Sequence, residues 1–109
     1  MDIENIQAQM RKGFLEYCVL SLIEKKEMYP SDILKTLKDS RLIVAEGTLY
    51  PLLTRSKNGG LLSYKWVESK SGPPRKYYQL TPEGRKLLRE LEKTYEELVN
   101  AINQIKDYE

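Results

Sequence analysis

Two segments hold the residues with the most specific chemistry. Gly47–Leu53 reads GTLYPLL and Gly72–Thr81 reads GPPRKYYQLT. In or just after the first lie Thr48, Tyr50, Pro51, Thr54, Arg55 and Lys57; in or just before the second lie Lys70, Arg75, Lys76 and Tyr77. Hydroxyls and phenols at the start of a helix suit the oxygens of a phosphate, and the helix dipole helps. Arg55 and Lys57 could reach bases or phosphates. Lys70, Arg75 and Lys76 would flank a minor groove or a sugar–phosphate backbone. Two alternatives stand beside this reading: Tyr50 could pack in the core, and Arg55 could form an ion pair within the chain. Tyr77 could stack or donate a hydrogen bond. Tyr78 and Leu80, on the opposite strand face, read as core, and Trp66 reads as packing within the strand pair rather than a platform for a ligand.

This chemistry binds and does not catalyse. The 109 residues include no histidine and one cysteine, Cys18. Histidine-activated nucleophiles, histidine acid catalysis, histidine-containing metal sites and a cysteine-only zinc site are therefore excluded. The acidic residues sit where solvated helix faces would place them. No enzyme, cofactor or metal is expected.

Charge is distributed to match. The net charge is +2. From Gly47 to Leu80 there are six bases (Arg55, Lys57, Lys65, Lys70, Arg75, Lys76) and one acid, Glu68, a net +5. The remaining twelve bases and fifteen acids leave −3 elsewhere. A near-neutral chain with one concentrated basic window carries the electrostatic footprint of a nucleic-acid binder; lysines that merely keep a hairpin soluble would give the same window.

The elements that must position these groups follow from periodicity and punctuation. One domain is expected from the length. Helical spacing of Ile3, Ile6, Met10, Phe14, Tyr17 and Cys18 predicts a first helix over Ile3–Lys26, apolar all round from Phe14 to Ile23 and hence buried there. Ser31 is the expected N-cap of a short second helix ending near Ser40. A third helix is expected from Glu46 to Asn58, its start fixed by Pro51, which is tolerated in a first turn, and its end by Asn58-Gly59-Gly60. Two strands follow, Leu61–Glu68 and Arg75–Leu80, with 69–74 as the hairpin tip. Thr81-Pro82-Glu83 opens a last helix running to about Lys106. The expected fold is mainly α with a two-stranded β-hairpin wing: a winged helix-turn-helix over 1–81 and a long C-terminal helix over 82–109, forming one structural unit.

On that last helix Leu88, Leu91, Tyr95, Leu98, Ile102 and Ile105 are spaced as a heptad seam. At 1.5 Å per residue the helix is roughly 35–40 Å long, more than a small winged domain needs. The seam could pack back on its own domain, but a chain this short would leave several of its residues exposed, so pairing with a second copy is the preferred reading. Ile6 and Met10, on the one-sided first half of helix one, are expected to join that interface. No run approaches the roughly 20 apolar residues of a membrane span. The acidic, polar start is unlike a signal peptide, and the lone cysteine fits a reducing cytoplasm, so a cytoplasmic location is expected.

GTLYPLLTRSKNGGLL (Gly47–Leu62), Trp66 and GPPRKYYQLTPEGRKLL (Gly72–Leu88) resemble the PadR family of bacterial transcriptional regulators, in its short subfamily with a single C-terminal helix. The resemblance spans nearly the whole chain. It implies a winged helix-turn-helix repressor, dimeric through the first and last helices, that binds palindromic operators in double-stranded DNA. It also implies that a small aromatic or drug-like effector can bind at the dimer interface, for which Tyr95 with Phe14 is the corresponding position. Carried over by position, Thr48, Tyr50 and Pro51 match the turn that approaches DNA, and Lys70, Arg75 and Lys76 match the wing. The chain departs from the family where a leucine and an acid usually follow the arginine: here Ser56 and Lys57 do. Pro30-Ser31 likewise replaces the usual Gly-Tyr. A winged-helix module that binds protein instead of DNA is the competing function.

Overall fold

A computed structural model describes residues 2–109. Its elements run α1 (Ile3–Lys25), α2 (Pro30–Asp39), α3 (Glu46–Asn58), β1 (Leu62–Ser69), β2 (Gly72–Leu80) and α4 (Pro82–Lys106). The mainly helical class with one antiparallel hairpin is as the sequence predicts. No helix among the described residues is long and apolar enough to cross a membrane.

Helix α1 begins where the Asp2 carboxylate accepts from the amides of Glu4 and Asn5. Its second half buries Leu15, Val19, Leu20 and Ile23 at the centre of the core, against Ile33 and Leu37 of α2, Leu49, Leu52 and Leu53 of α3, and Leu88 of α4. Helix α2 starts one residue before the expected cap. Tyr29 is the N-cap and Pro30 the first helical residue, so Ser31 lies inside the helix and does not cap it. Proline at that position loses no hydrogen bond, because the first-turn amides have no helical partner.

Both α2 and α3 end in a left-handed residue that reverses the chain. After α3 it is Gly60 (φ 81°), with the amides of Gly60 and Leu61 donating to the Lys57 and Ser56 carbonyls. After α2 it is Arg41 (φ 67°), an uncommon conformation for a residue with a Cβ, held by the Leu42 amide on the Leu37 carbonyl at 2.8 Å.

The hairpin differs in detail from expectation. The residues 69–74 do not all form the tip: β2 already starts at Gly72, so Pro73 and Pro74 belong to the strand and the turn is only Lys70-Ser71. Pairing runs Leu62↔Leu80 to Val67↔Arg75, then shifts by one residue before Ser69↔Gly72. Neither proline can donate to a ladder, and the irregularity falls where they face Glu68. Met28 adds a bridge to Tyr78, so the hairpin is anchored to the segment before α2.

The joint between wing and α4 is closely packed. Thr81 caps α4 by accepting from the Gly84 amide at 3.0 Å, while its hydroxyl lies 2.6 Å from the Gly60 carbonyl and 3.0 Å from that of Leu61. A Cβ at Gly84 would overlap the Leu61 carbonyl oxygen and lie 2.8 Å from Leu80 Cδ1, so only glycine fits there. Across the domain, the Arg89 guanidinium ties α4 to α1 through Glu24 and also pairs with Glu92.

Candidate nucleic-acid interface

Helix α3 turns Leu49, Leu52, Leu53 and Ser56 inward and leaves Tyr50, Pro51, Thr54, Arg55 and Lys57 exposed. Ser56 is only 4% exposed and is the one buried polar side chain among the described residues. Tyr50, 45% exposed, is not core. Arg55 forms no ion pair among the described residues. Thr54 donates its hydroxyl proton back to the Tyr50 carbonyl at 3.0 Å, leaving oxygen lone pairs rather than a donor at the surface. Thr48 is half-buried and lines, with Arg11 and Lys12 of α1, a cleft of about 200 Å³. Helix α3 starts at Glu46, so Pro51 stands inside it, beyond the first turn in which the sequence places it. Pro51 has no amide to give the Gly47 carbonyl, and that part of the helix lacks one ladder bond.

Strand alternation divides the wing residues between two faces. Lys76 pairs with Trp66 and Tyr78 with Tyr64, which places these four side chains on one face. Lys57 of α3 lies 5.6 Å from the Tyr64 ring centroid, so this face looks toward α3. Lys76 sits 4.5 Å from the Tyr64 centroid and 5.4 Å from that of Trp66. The base of the same face is core: Leu62, Tyr78 and Leu80 are buried. Burial, reinforced by the neighbouring Tyr64 and Tyr50 phenols, pushes the Tyr78 hydroxyl up, so it stays neutral at physiological pH.

Arg75 and Tyr77 occupy the other face with Lys65 and Val67. There the Arg75 guanidinium lies over the Tyr29 ring at 4.6 Å, Tyr77 packs edge-on to Tyr29 at 5.2 Å, and Lys65 pairs with Glu27 at 2.9 Å. Tyr77 therefore stacks within its own chain. Of the six bases in the basic window, Lys65 alone is in an ion pair among the described residues. Lys70 is exposed at the turn. Thus α3 and the wing bring Tyr50, Thr54, Arg55, Lys57 and Lys70 to open surface with the half-buried Lys76 beside them, while exposed Arg75 and half-buried Tyr77 sit across the sheet from Lys76.

Trp66 does not pack as its sequence suggests. It is 61% exposed, meeting Tyr64 edge-on at 6.1 Å. Tyr29 and the Arg11–Lys12 pair carry no sequence signal for this surface, because their proximity to the window is tertiary and leaves no local pattern.

The seam on α4 divides in two. Leu88 is fully buried in its own core and Leu91 is half-buried against it, so Leu88 is spent within the chain and offers nothing to an interface. Beyond them Tyr95, Leu98, Ile102 and Ile105 are 42–73% exposed, and Ile6 (36%) and Met10 (65%) on α1 are exposed too. Tyr95 meets Phe14 edge-on at 6.1 Å and Tyr17 at 5.5 Å. The cleft these rings line measures about 50 Å³, well below the roughly 150 Å³ of a cavity that holds benzene. Among the described residues no cluster of histidine, cysteine or carboxylate side chains could hold a metal.

A family model described as the transcriptional regulator PadR-like family matches residues 19–90. Among solved structures, a PadR-like transcription factor of Bacteroides fragilis is 59% identical, with 93% of this chain and 98% of that one covered and a TM-score of 0.78. A PadR family regulator of Eggerthella lenta DSM 2243 is 32% identical over 98% of this chain and 94% of that one, with a TM-score of 0.90. A PadR-like regulator of Bacillus cereus ATCC 14579 is 34% identical over 93% and 99%, with a TM-score of 0.80. These relatives are regulators of transcription and not enzymes. With its helical core, its basic surface on α3 and the wing, and a match over most of its length, the chain belongs to the PadR-like family of transcriptional regulators.

Proposed function

We propose that the protein is a homodimeric, sequence-specific DNA-binding repressor that acts on its own or neighbouring genes through a palindromic operator. The observation that carries this reading is the convergence of unpaired cations and exposed hydroxyl-bearing side chains from α3 and the wing on one surface. Helix α3 enters the major groove, with Tyr50, Pro51, Thr54, Arg55 and Lys57 toward the duplex and Thr48 at its entry. Lys70 and Lys76 follow the adjoining backbone, with Arg75 and Tyr77 reaching it from the far wing face. Counterion release drives the binding.

Dimerisation follows from the exposed apolar face of Ile6, Met10, Tyr95, Leu98, Ile102 and Ile105, which one chain cannot cover. A two-fold axis through that face gives two recognition helices and hence a palindromic site. Phe14 and Tyr95 mark the place for a small aromatic effector. Their cleft is too small for one in a single chain, so the effector site forms between the two copies and its occupation releases DNA. Footprinting across the DNA upstream of the protein's own gene tests the proposal. A protected palindrome is expected; no protection at low salt across that region overturns the autoregulatory reading.

A further inference from the structure

Among the described residues Trp66 is the one large apolar side chain of the wing that the fold leaves exposed. A strand pair seated on Leu62, Tyr78 and Leu80 gains nothing from an indole that remains 61% exposed. Yet its surroundings are ordered. Tyr64 stands edge-on to it, and the Lys76 ammonium lies within 5.4 Å of its ring centroid and 4.5 Å of that of Tyr64. Lys57 reaches the same Tyr64 ring from α3. Two aromatic rings thus hold two cations on the surface where α3 meets the wing. No carboxylate pairs with either cation among the described residues.

Resting on the DNA-binding reading above, we propose that Trp66 is a contact and positioning residue for the sugar–phosphate backbone of duplex DNA. A cation over an aromatic face keeps its charge while giving up side-chain freedom, so less entropy is lost when a phosphate arrives. Lys76 is pre-aimed in this way, as Lys57 is by Tyr64. The exposed indole supplies an N–H donor with no hydrogen-bond partner among the described residues and a flat apolar face for a deoxyribose. The occupant is the backbone rather than a base, because the two ammonium groups are held over ring faces as point charges and the indole adds a flat apolar face, a set that suits phosphate and sugar. Trp66 therefore raises affinity for operator and for unrelated duplex alike.

The chain holds a single tryptophan, so its emission reports this site alone. Titration with duplex DNA, followed in parallel by anisotropy of a labelled duplex, should change Trp66 emission and lower its quenching by acrylamide at least ~2-fold as binding saturates. Trp66→Ala should weaken operator and random duplex together, by roughly 3- to 10-fold, and Trp66→Phe by less. Positioning is tested by a cycle with Lys76→Ala, which should cost clearly less affinity in the Trp66→Ala background than in the wild type. Duplex binding with unchanged acrylamide quenching, and wild-type affinity in both Trp66 variants, overturns the inference while leaving the DNA-binding reading intact. Equal costs of Lys76→Ala in both backgrounds overturn the positioning role. A chain that binds no duplex at all overturns both readings.

Discussion

Replacing Thr81 by alanine should destabilise the protein by about 2 kcal/mol, because this one hydroxyl ties the start of α4 to the turn between α3 and β1. Its oxygen accepts from the Gly84 amide at 3.0 Å, capping α4. Loss of such a cap costs about 1 kcal/mol, within a range of roughly 0.5–2. The same hydroxyl donates to the Gly60 carbonyl at 2.6 Å, with the Leu61 carbonyl 3.0 Å away. Leu61 keeps its bond from the Thr81 amide at 3.1 Å, so only the Gly60 carbonyl is deprived of its donor. That loss adds roughly 1 kcal/mol, the net worth of one hydrogen bond. With a slope of about 1–3 kcal/mol per M urea, the unfolding midpoint should fall by about 1 M. Thr81→Ser retains both bonds and should stay within about 0.5 kcal/mol of the wild type. The curves must be compared at one protein concentration, since assembly shifts apparent stability. A Thr81→Ala protein as stable as the wild type, or a serine variant as weak as the alanine one, would refute this view of the joint.

Two further predictions concern other parts of the chain. Ile102→Glu places a charge on the exposed face of α4 and should convert a dimer to a monomer in sedimentation while helix content by circular dichroism is retained; an unchanged mass would remove Ile102 from the interface. Cys18 is half-buried beside Tyr17, Leu22 and Leu37, and desolvation pushes its thiol up, so the reactive thiolate forms only at higher pH than in an exposed cysteine. Alkylation by iodoacetamide at about pH 8 should therefore be slower than that of a short peptide thiol, with its rate still climbing above the usual thiol range; equal rates would contradict the burial.

Where a local rule governs, the sequence is a reliable guide to the fold. Thr81-Pro82, Asn58-Gly59-Gly60 and the heptad spacing each mark a boundary or a face that α3 and α4 display. It misleads where two rules compete. Both Ser31 and Pro30 can open a helix, and the proline takes the first position, moving the cap to Tyr29. Pro73 and Pro74 read as turn, yet the strand accommodates them at an irregularity. The basic surface is visible as composition, but its division into two wing faces is not. That division follows from register: Val67↔Arg75 and Trp66↔Lys76 send neighbouring cations to opposite sides. The rings beneath those cations, Tyr64 and Tyr29, come from other parts of the chain, so no local spacing announces them. Leu88 carries the same heptad signal as Ile102 and yet lies in the core, because the domain covers only the first turns of α4.

If α3 and the α3-facing side of the wing bind the DNA backbone, affinity must depend on salt in proportion to the cations they supply. The decisive experiment is therefore the salt dependence of duplex binding, measured by anisotropy for the wild type and for Lys57→Ala/Lys76→Ala. Removing one lysine from a phosphate should reduce the slope of log K against log salt by about 0.9, so the double variant should bind more weakly at every salt concentration with a slope shallower by about 2. Binding with the same slope in both proteins, or no binding by the wild type at low salt, would contradict this reading of the surface.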